Sequence, residues 1–99
     1  MSLTKLANAY LEYMVREYST THKKVFSDWN AFQSMFPDED ADFICDALQK
    51  LKNDGLIDIT WADNLPCLIT LDLNAIIQAE ENTPLKKTYK FLKELREWL

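Results

Sequence analysis

The single glycine of the chain, Gly55, constrains the fold more than any other residue. Apolar residues recur at helical spacing through residues 39 to 53, and Gly55 follows at the position where a left-handed residue ends a helix. Alternating apolar residues begin at Leu56 and continue to Trp61, which is typical of a strand. The segment therefore predicts a helix that passes through one tight cap directly into a strand.

The other elements are predicted from apolar periodicity and from the residues that end helices. With one glycine, three prolines and 47% hydrophobic residues among 99, the chain predicts a single domain with a buried core. In chain order we expect a helix over residues 3–18, a short strand over 24–26, helices over 28–35 and 39–53, strands over 56–61 and 66–71, a short helix to about residue 80 and a last helix over 84–99.

Local side-chain chemistry predicts where these elements begin and end. Residues 19–21 are expected to end the first helix, because serine and threonine side chains compete for backbone hydrogen bonds. Ser27 is the expected N-cap of the second helix, and Asp38 or Asp40 is that of the third. The expected inward residues are Trp29, Phe32 and Met35 or Phe36 on the second helix, and Ala41, Ile44, Ala47, Leu48 and Leu51 on the third. On the first strand of the hairpin, the residues expected to share one face are Ile57, Ile59 and Trp61.

This order of elements is that of a winged helix-turn-helix, in which a three-helix core carries a β-hairpin wing. The predicted class is α+β, mostly helical, with additional C-terminal helices. We expect a winged-helix domain over residues 1–82. Residues 83–99 are expected to form an amphipathic helix that packs on this domain or on a second copy of the chain.

The last third of the chain, "LITLDLNAIIQAEENTPLKKTYKFLKELREWL", resembles the YjcQ-like family, small winged-helix proteins of Gram-positive bacteria and their phages. The family usually has glycine near Asn74 and tyrosine near Ile77, and this chain has neither. The resemblance implies a winged helix and a phage or prophage connection, and it implies no known catalysis and no established ligand. The matching residues are Ile69, Thr70, Glu80, Glu81, Asn82, Lys86 and Lys87.

The predicted third helix begins with more acidic residues than a helix that reads a DNA groove would carry. Residues 36–58 hold seven acidic and two basic residues, and residues 59–82 hold four acidic and no basic ones. DNA affinity rests on lysine and arginine, so tight duplex binding through this helix and the wing is not expected. Three interpretations of these acids are open. They cap and solubilise the helix, or they form a surface that binds a basic protein partner or that mimics or excludes nucleic acid, or they read a DNA groove.

We therefore define a candidate partner surface at the start of the third helix. Within it, Phe43 either packs inside the domain or provides an apolar anchor surrounded by acids. The surface comprises Asp38, Glu39, Asp40, Asp42, Phe43 and Asp46.

The predicted last helix has the opposite charge, with five basic and two acidic residues over residues 83–99. It also has a broad apolar face, and so short a helix needs a cover for that face in water. The cover is either the first helix of the same chain or a second copy, and we expect a homodimer through the first and last helices. Any nucleic-acid binding would use the same segment, through Lys86, Lys87, Lys90, Phe91, Leu92, Lys93, Leu95 and Trp98.

Few sequence features point to chemistry. One histidine, no glycine-rich phosphate loop and no nucleophile motif predict no catalytic residue, no cofactor and no enzyme. Cys45 and Cys67 lack metal-ligand spacing, so they are expected to be reduced, partly buried thiols, and no metal site is predicted. The sequence predicts neither a membrane span nor a signal peptide, which favours a cytoplasmic location.

The sequence as a whole predicts a winged-helix binding module, most concretely one that mediates protein–protein interaction. A DNA-binding transcriptional regulator that uses the basic last helix is the first alternative. A structural dimer subunit of a larger assembly is the second.

Overall fold

The computed structural model describes residues 1–81, and within them it has four helices and one three-stranded antiparallel sheet. The predicted α+β class and the predicted order of elements up to residue 81 are confirmed, while the predicted helix over 84–99 lies outside the described residues. In chain order the elements are α1 (Leu3–Thr21), β1 (Val25–Phe26), α2 (Trp29–Met35), α3 (Ala41–Asn53), β2 (Ile57–Ala62), β3 (Leu65–Leu71) and α4 (Leu73–Glu81).

Helix α1 continues three residues beyond its predicted end at residue 18. The hydroxyl of Thr20 donates to the carbonyl of Arg16 at 3.1 Å, and that of Thr21 donates to the carbonyl of Glu17 at 2.8 Å. These hydroxyls bond to the carbonyls of the preceding turn, so they are compatible with the helix and do not break it. The helix ends at His22, which has a left-handed backbone with φ 60°.

The N-cap of α2 differs from the sequence expectation, whereas the N-cap of α3 is one of the two residues expected. Asp28, and not Ser27, caps α2, because its carboxylate accepts a hydrogen bond from the backbone N–H of Ala31 at 3.2 Å. Asp40 is the N-cap of α3, although its side chain makes no capping hydrogen bond. Helix α3 begins two residues later than predicted because the preceding residues form a turn, in which the N–H of Glu39 donates to a carbonyl at 3.0 Å.

Helix α3 buries the predicted face and ends as predicted at Gly55. It packs against α1 and β2, with Ile44, Ala47, Leu48 and Leu51 buried and Ala41 half-buried. Gly55 has φ 75° and donates to the carbonyl of Lys52, while the N–H of Leu56 donates to the carbonyl of Leu51, both at 3.0 Å. These two bonds form a Schellman motif, which ends the helix and directs the chain into β2.

The sheet has β3 at its centre, with β1 and β2 on either side. Cross-strand partners lie on the same face, so the pairs Ile57–Leu71 and Ile59–Ile69 cover the core, and Phe26 of β1 joins them. The opposite face carries Val25, Asp58, Thr60, Leu68 and Thr70, of which Thr70 is half-buried and the others are exposed.

The far end of the hairpin projects away from the core. Trp61 is 38% exposed, whereas Ile57 and Ile59, with which it was expected to share a face, are buried. The pairing shifts between Thr60 and Trp61, and all residues from 60 to 65 are exposed, so the core ends before Trp61. The strands are joined at Asp63 and Asn64, which both have positive φ, as a two-residue type I′ turn requires.

An aromatic cluster joins α1 to α2 inside the core. The hydroxyl of Tyr10 donates to the backbone carbonyl of Phe32 at 2.7 Å, and the two rings lie 5.2 Å apart. Burial, and then the nearby Glu39 carboxylate and the Cys45 thiol, raise the pKa of Tyr10 to about 12. The cluster holds α2 against α1.

Candidate functional site

The acidic residues of the candidate partner surface do not all point the same way. The Oε1 atom of Glu39 lies 3.8 Å from the terminal amine of Met1, and Glu39 is half-buried. The other four acids, Asp38, Asp40, Asp42 and Asp46, are exposed. Glu39 therefore belongs to the contact between the start of α3 and the start of α1, and it is not a free part of the surface.

Asp42 and Asp46 form the regular part of this surface. They lie four residues apart on α3, so they are neighbours on one side of the helix. None of the ion pairs Met1–Glu39, Glu12–Arg16 and Lys50–Asp54 includes Asp38, Asp40, Asp42 or Asp46. Lys50 on the same helix is held by Asp54 at 2.8 Å.

The field of these two carboxylates also reaches Cys45, which lies between them in sequence. Burial raises the pKa of the Cys45 thiol, and the charges of Asp42 and Asp46 raise it further. A raised pKa keeps the thiol protonated and unreactive at neutral pH. Both cysteines are free, and Cys67 is exposed on the hairpin and not partly buried as expected, because it stands at the register shift.

Phe43 does not form a freely projecting anchor. It is half-buried and packs against the core cluster, so only part of its ring reaches the surface. This placement agrees with packing inside the domain, one of the two expectations for this residue. The candidate surface of α3 is thus mainly a carboxylate surface with one aromatic edge beside it.

The hairpin contributes further acidic and apolar groups. Asp58 and Asp63 are exposed, so the β2–β3 hairpin presents negative charge as the sequence predicted. Three large apolar side chains are exposed there as well, namely Trp61, Leu65 and Leu68. Sequence reasoning missed Leu65 and Leu68, because the run "LPCLITL" is almost continuously apolar and does not distinguish the two faces of β3.

An open depression of about 410 Å³ lies beside α2 and the turn that follows it. Its lining is mostly uncharged, with Glu39 as the one titratable group. The residues described by the structure contain no group of three or more histidine, cysteine or acidic side chains that could hold a metal ion. The depression offers hydrogen-bonding amides and no arrangement of an acid, a base and a nucleophile. Its lining residues are Asn30, Gln33, Ser34, Pro37 and Glu39.

The second set of predicted site residues, from Lys86 to Trp98, lies outside the described residues. The other half of the predicted dimer contact, helix α1, is visible. Leu11 and Tyr13 on its flank are half-buried and pack against the core, so α1 leaves less free apolar surface than its sequence suggests. The homodimer stays a prediction, and so does the cytoplasmic location. In the described range, no helix has the length and apolar character needed to cross a membrane.

No family model, no curated protein and no solved structure matches the chain.

Proposed function

We propose that the chain is a winged-helix domain that acts by binding a basic protein partner through the exposed side of α3. The order helix, strand, helix, helix, hairpin supports the winged-helix assignment, together with a first strand that pairs with the second strand of the hairpin. In such a domain α3 holds the position of the recognition helix. What α3 presents from that position decides the class of partner.

One observation carries the proposal: Asp42 and Asp46 are exposed side by side on α3, and neither belongs to any of the ion pairs described above. A phosphate backbone would be repelled from such a surface. Lysine and arginine side chains of a protein partner would be attracted to it, and charge complementarity of this kind governs specificity and association rate. Helix capping needs only the first-turn acids, so Asp46, in the second turn, is not accounted for by capping.

The test is a titration of the full-length chain with a synthetic lysine- and arginine-rich peptide, followed by backbone amide chemical shifts. We expect the largest shifts around Asp42 and Asp46. The double substitution Asp42→Asn with Asp46→Asn should abolish them. The matched control, Asp58→Asn with Asp63→Asn, removes the same charge from the hairpin and should leave the α3 shifts in place. If both double variants weaken binding equally, the peptide senses only net charge, and the proposal fails.

Duplex DNA provides the opposite test. We expect no tight binding to random or genomic duplexes near physiological salt, measured by fluorescence anisotropy. Submicromolar binding would favour the DNA-binding regulator instead. Neutralising Lys86, Lys87, Lys90 and Lys93 would then flatten its salt dependence, by about one unit of slope for each phosphate that a lysine no longer neutralises.

Membership of the YjcQ-like family and the phage connection are part of the same proposal and rest on the sequence of residues 68–99. A structural dimer subunit is the remaining alternative. It predicts a sedimentation mass near twice the 11.6 kDa of the chain.

A further inference from the structure

Helix α4 presents an apolar strip that the described core does not cover. Ala75, Ile76 and Ala79 are buried, whereas Leu73 and Ile77 are 56% and 44% exposed. Leu73 and Ile77 lie four residues apart, so they are neighbours along one side of the helix. We name these two residues the α4 strip.

The apolar surface of α4 is wider than one contact with the core requires. At 3.6 residues per turn, Ile76 lies between the buried Ala75 and Ala79 on one side and the α4 strip on the other, and the one polar residue with a position on this arc is Glu80, between Ile76 and Leu73. A helix that meets only one core normally carries polar residues on this flank. The arc therefore indicates a second packing partner for α4.

We propose that residues 83–99 of the same chain cover the α4 strip. Helix α4 ends at Glu81, so this segment is tethered within a few residues of the strip and reaches it at a high effective concentration. Its sequence predicts an apolar face with Leu85, Leu92 and Leu99 spaced seven residues apart. That face is the chemical complement of the strip.

Charge favours the same occupant. Residues 1–81 hold six basic and fourteen acidic residues, a net charge of −8, whereas residues 82–99 hold five basic and two acidic ones, a net charge of +3. The segment is attracted to the body of its own chain, and two such bodies repel each other. A covering segment from the same chain meets less electrostatic opposition than a second copy.

The expected register follows from the length of the connection. Connections between antiparallel helices commonly have about 2–8 residues, and residues 82–84 can supply one, with Pro84 suited to the first position of a helix. An equal rise along both helices places Thr88 opposite Ile77 and Leu92 opposite Leu73. The pair Leu73–Leu92 is therefore the most diagnostic contact.

The experiment measures nuclear Overhauser cross-peaks between side-chain methyl groups in the uniformly labelled full-length chain. We expect cross-peaks between Leu73 and Leu92. They should be absent from an isotope-filtered spectrum of mixed labelled and unlabelled chains, which reports only contacts between copies. If no cross-peak joins the α4 strip to residues 83–99, the proposal is overturned. Cross-peaks that appear only between copies would instead assign the strip to the predicted homodimer.

A pair of double variants separates the α4 strip from apolar exposure in general. Leu73→Gln with Ile77→Gln keeps helix-forming residues and should remove the cross-peaks from Leu92 to the unchanged Ile76. Leu65→Thr with Leu68→Thr removes two apolar residues of similar exposure from the hairpin and should leave those cross-peaks intact. If the cross-peaks are lost in the hairpin variant and retained in the strip variant, the segment lies on the sheet and the proposal is refuted.

Discussion

Replacing Leu48 by alanine should destabilise the fold far more than replacing Asp46 by alanine two positions earlier. Leu48 is 0% exposed and belongs to the core beneath α3, whereas Asp46 is exposed on the opposite side of the helix. The Leu48→Ala substitution removes three buried carbon groups, worth about 0.8 kcal/mol each, or about 2.4 kcal/mol together. The cavity left behind raises the expected cost to about 2–5 kcal/mol.

Urea unfolding followed by circular dichroism measures this difference in the free energy of unfolding. The slope with denaturant should stay constant, so that the shift in midpoint reports stability alone. Asp46→Ala serves as the control and should change stability by no more than about 0.5 kcal/mol. Equal effects of the two substitutions, or a larger effect at Asp46, would show that the inward face of α3 is assigned wrongly.

Two further predictions concern Tyr10 and Gly55. The folded state raises the pKa of Tyr10 from an ordinary value of 10.0 to about 12. The contribution of Tyr10 to the free energy of unfolding should therefore be fully present below about pH 10 and be lost as the pH rises through 12. Alkaline unfolding of Tyr10→Phe should show a smaller loss of stability over this range. Gly55→Ala should cost about 1 kcal/mol in thermal unfolding, because the backbone has a positive φ and no atom outside residues 54–56 lies within 4 Å of the added carbon. Gly55→Asn should cost less, because asparagine tolerates this backbone conformation better. An alanine that unfolds at the wild-type temperature would contradict the second prediction.

The order of elements could be predicted because each boundary carries a local chemical signal. Gly55 is the clearest case, since only its left-handed backbone allows both closing hydrogen bonds of α3. The end of α1 could not be predicted from the same rules. Threonine hydroxyls either compete with a helix or bond to its preceding turn, and the choice depends on side-chain rotamers that sequence does not specify. The cap of α2 was predicted one residue too early, because Ser27 and Asp28 are both favoured N-cap residues and sequence alone does not choose between them.

The residue types of the candidate site could be predicted from the sequence, but the positions of their side chains could be predicted only in part. The acidic character of α3 is visible in its sequence, and the exposure of Asp42 and Asp46 follows from helical spacing. The pairing of Glu39 with the amine of Met1 could not be foreseen, because it joins residues far apart in sequence. The α4 strip was missed for a different reason. A nine-residue helix is too short for periodicity to distinguish the buried flank from the exposed one.

The sheet has two free edges within residues 1–81, and their construction bears on how the protein behaves when concentrated. Strand β1 is two residues long, so it offers almost no backbone for another chain to extend. Strand β2 is longer, but it carries the charged Asp58 and pairs across a register shift near Trp61. Short, charged or distorted edges resist the strand-by-strand addition that leads to fibrous aggregates. Within residues 1–81, exposed leucines such as Leu65 and Leu68 can therefore contact a partner through their side chains, while the strand edges are poor templates for adding another strand.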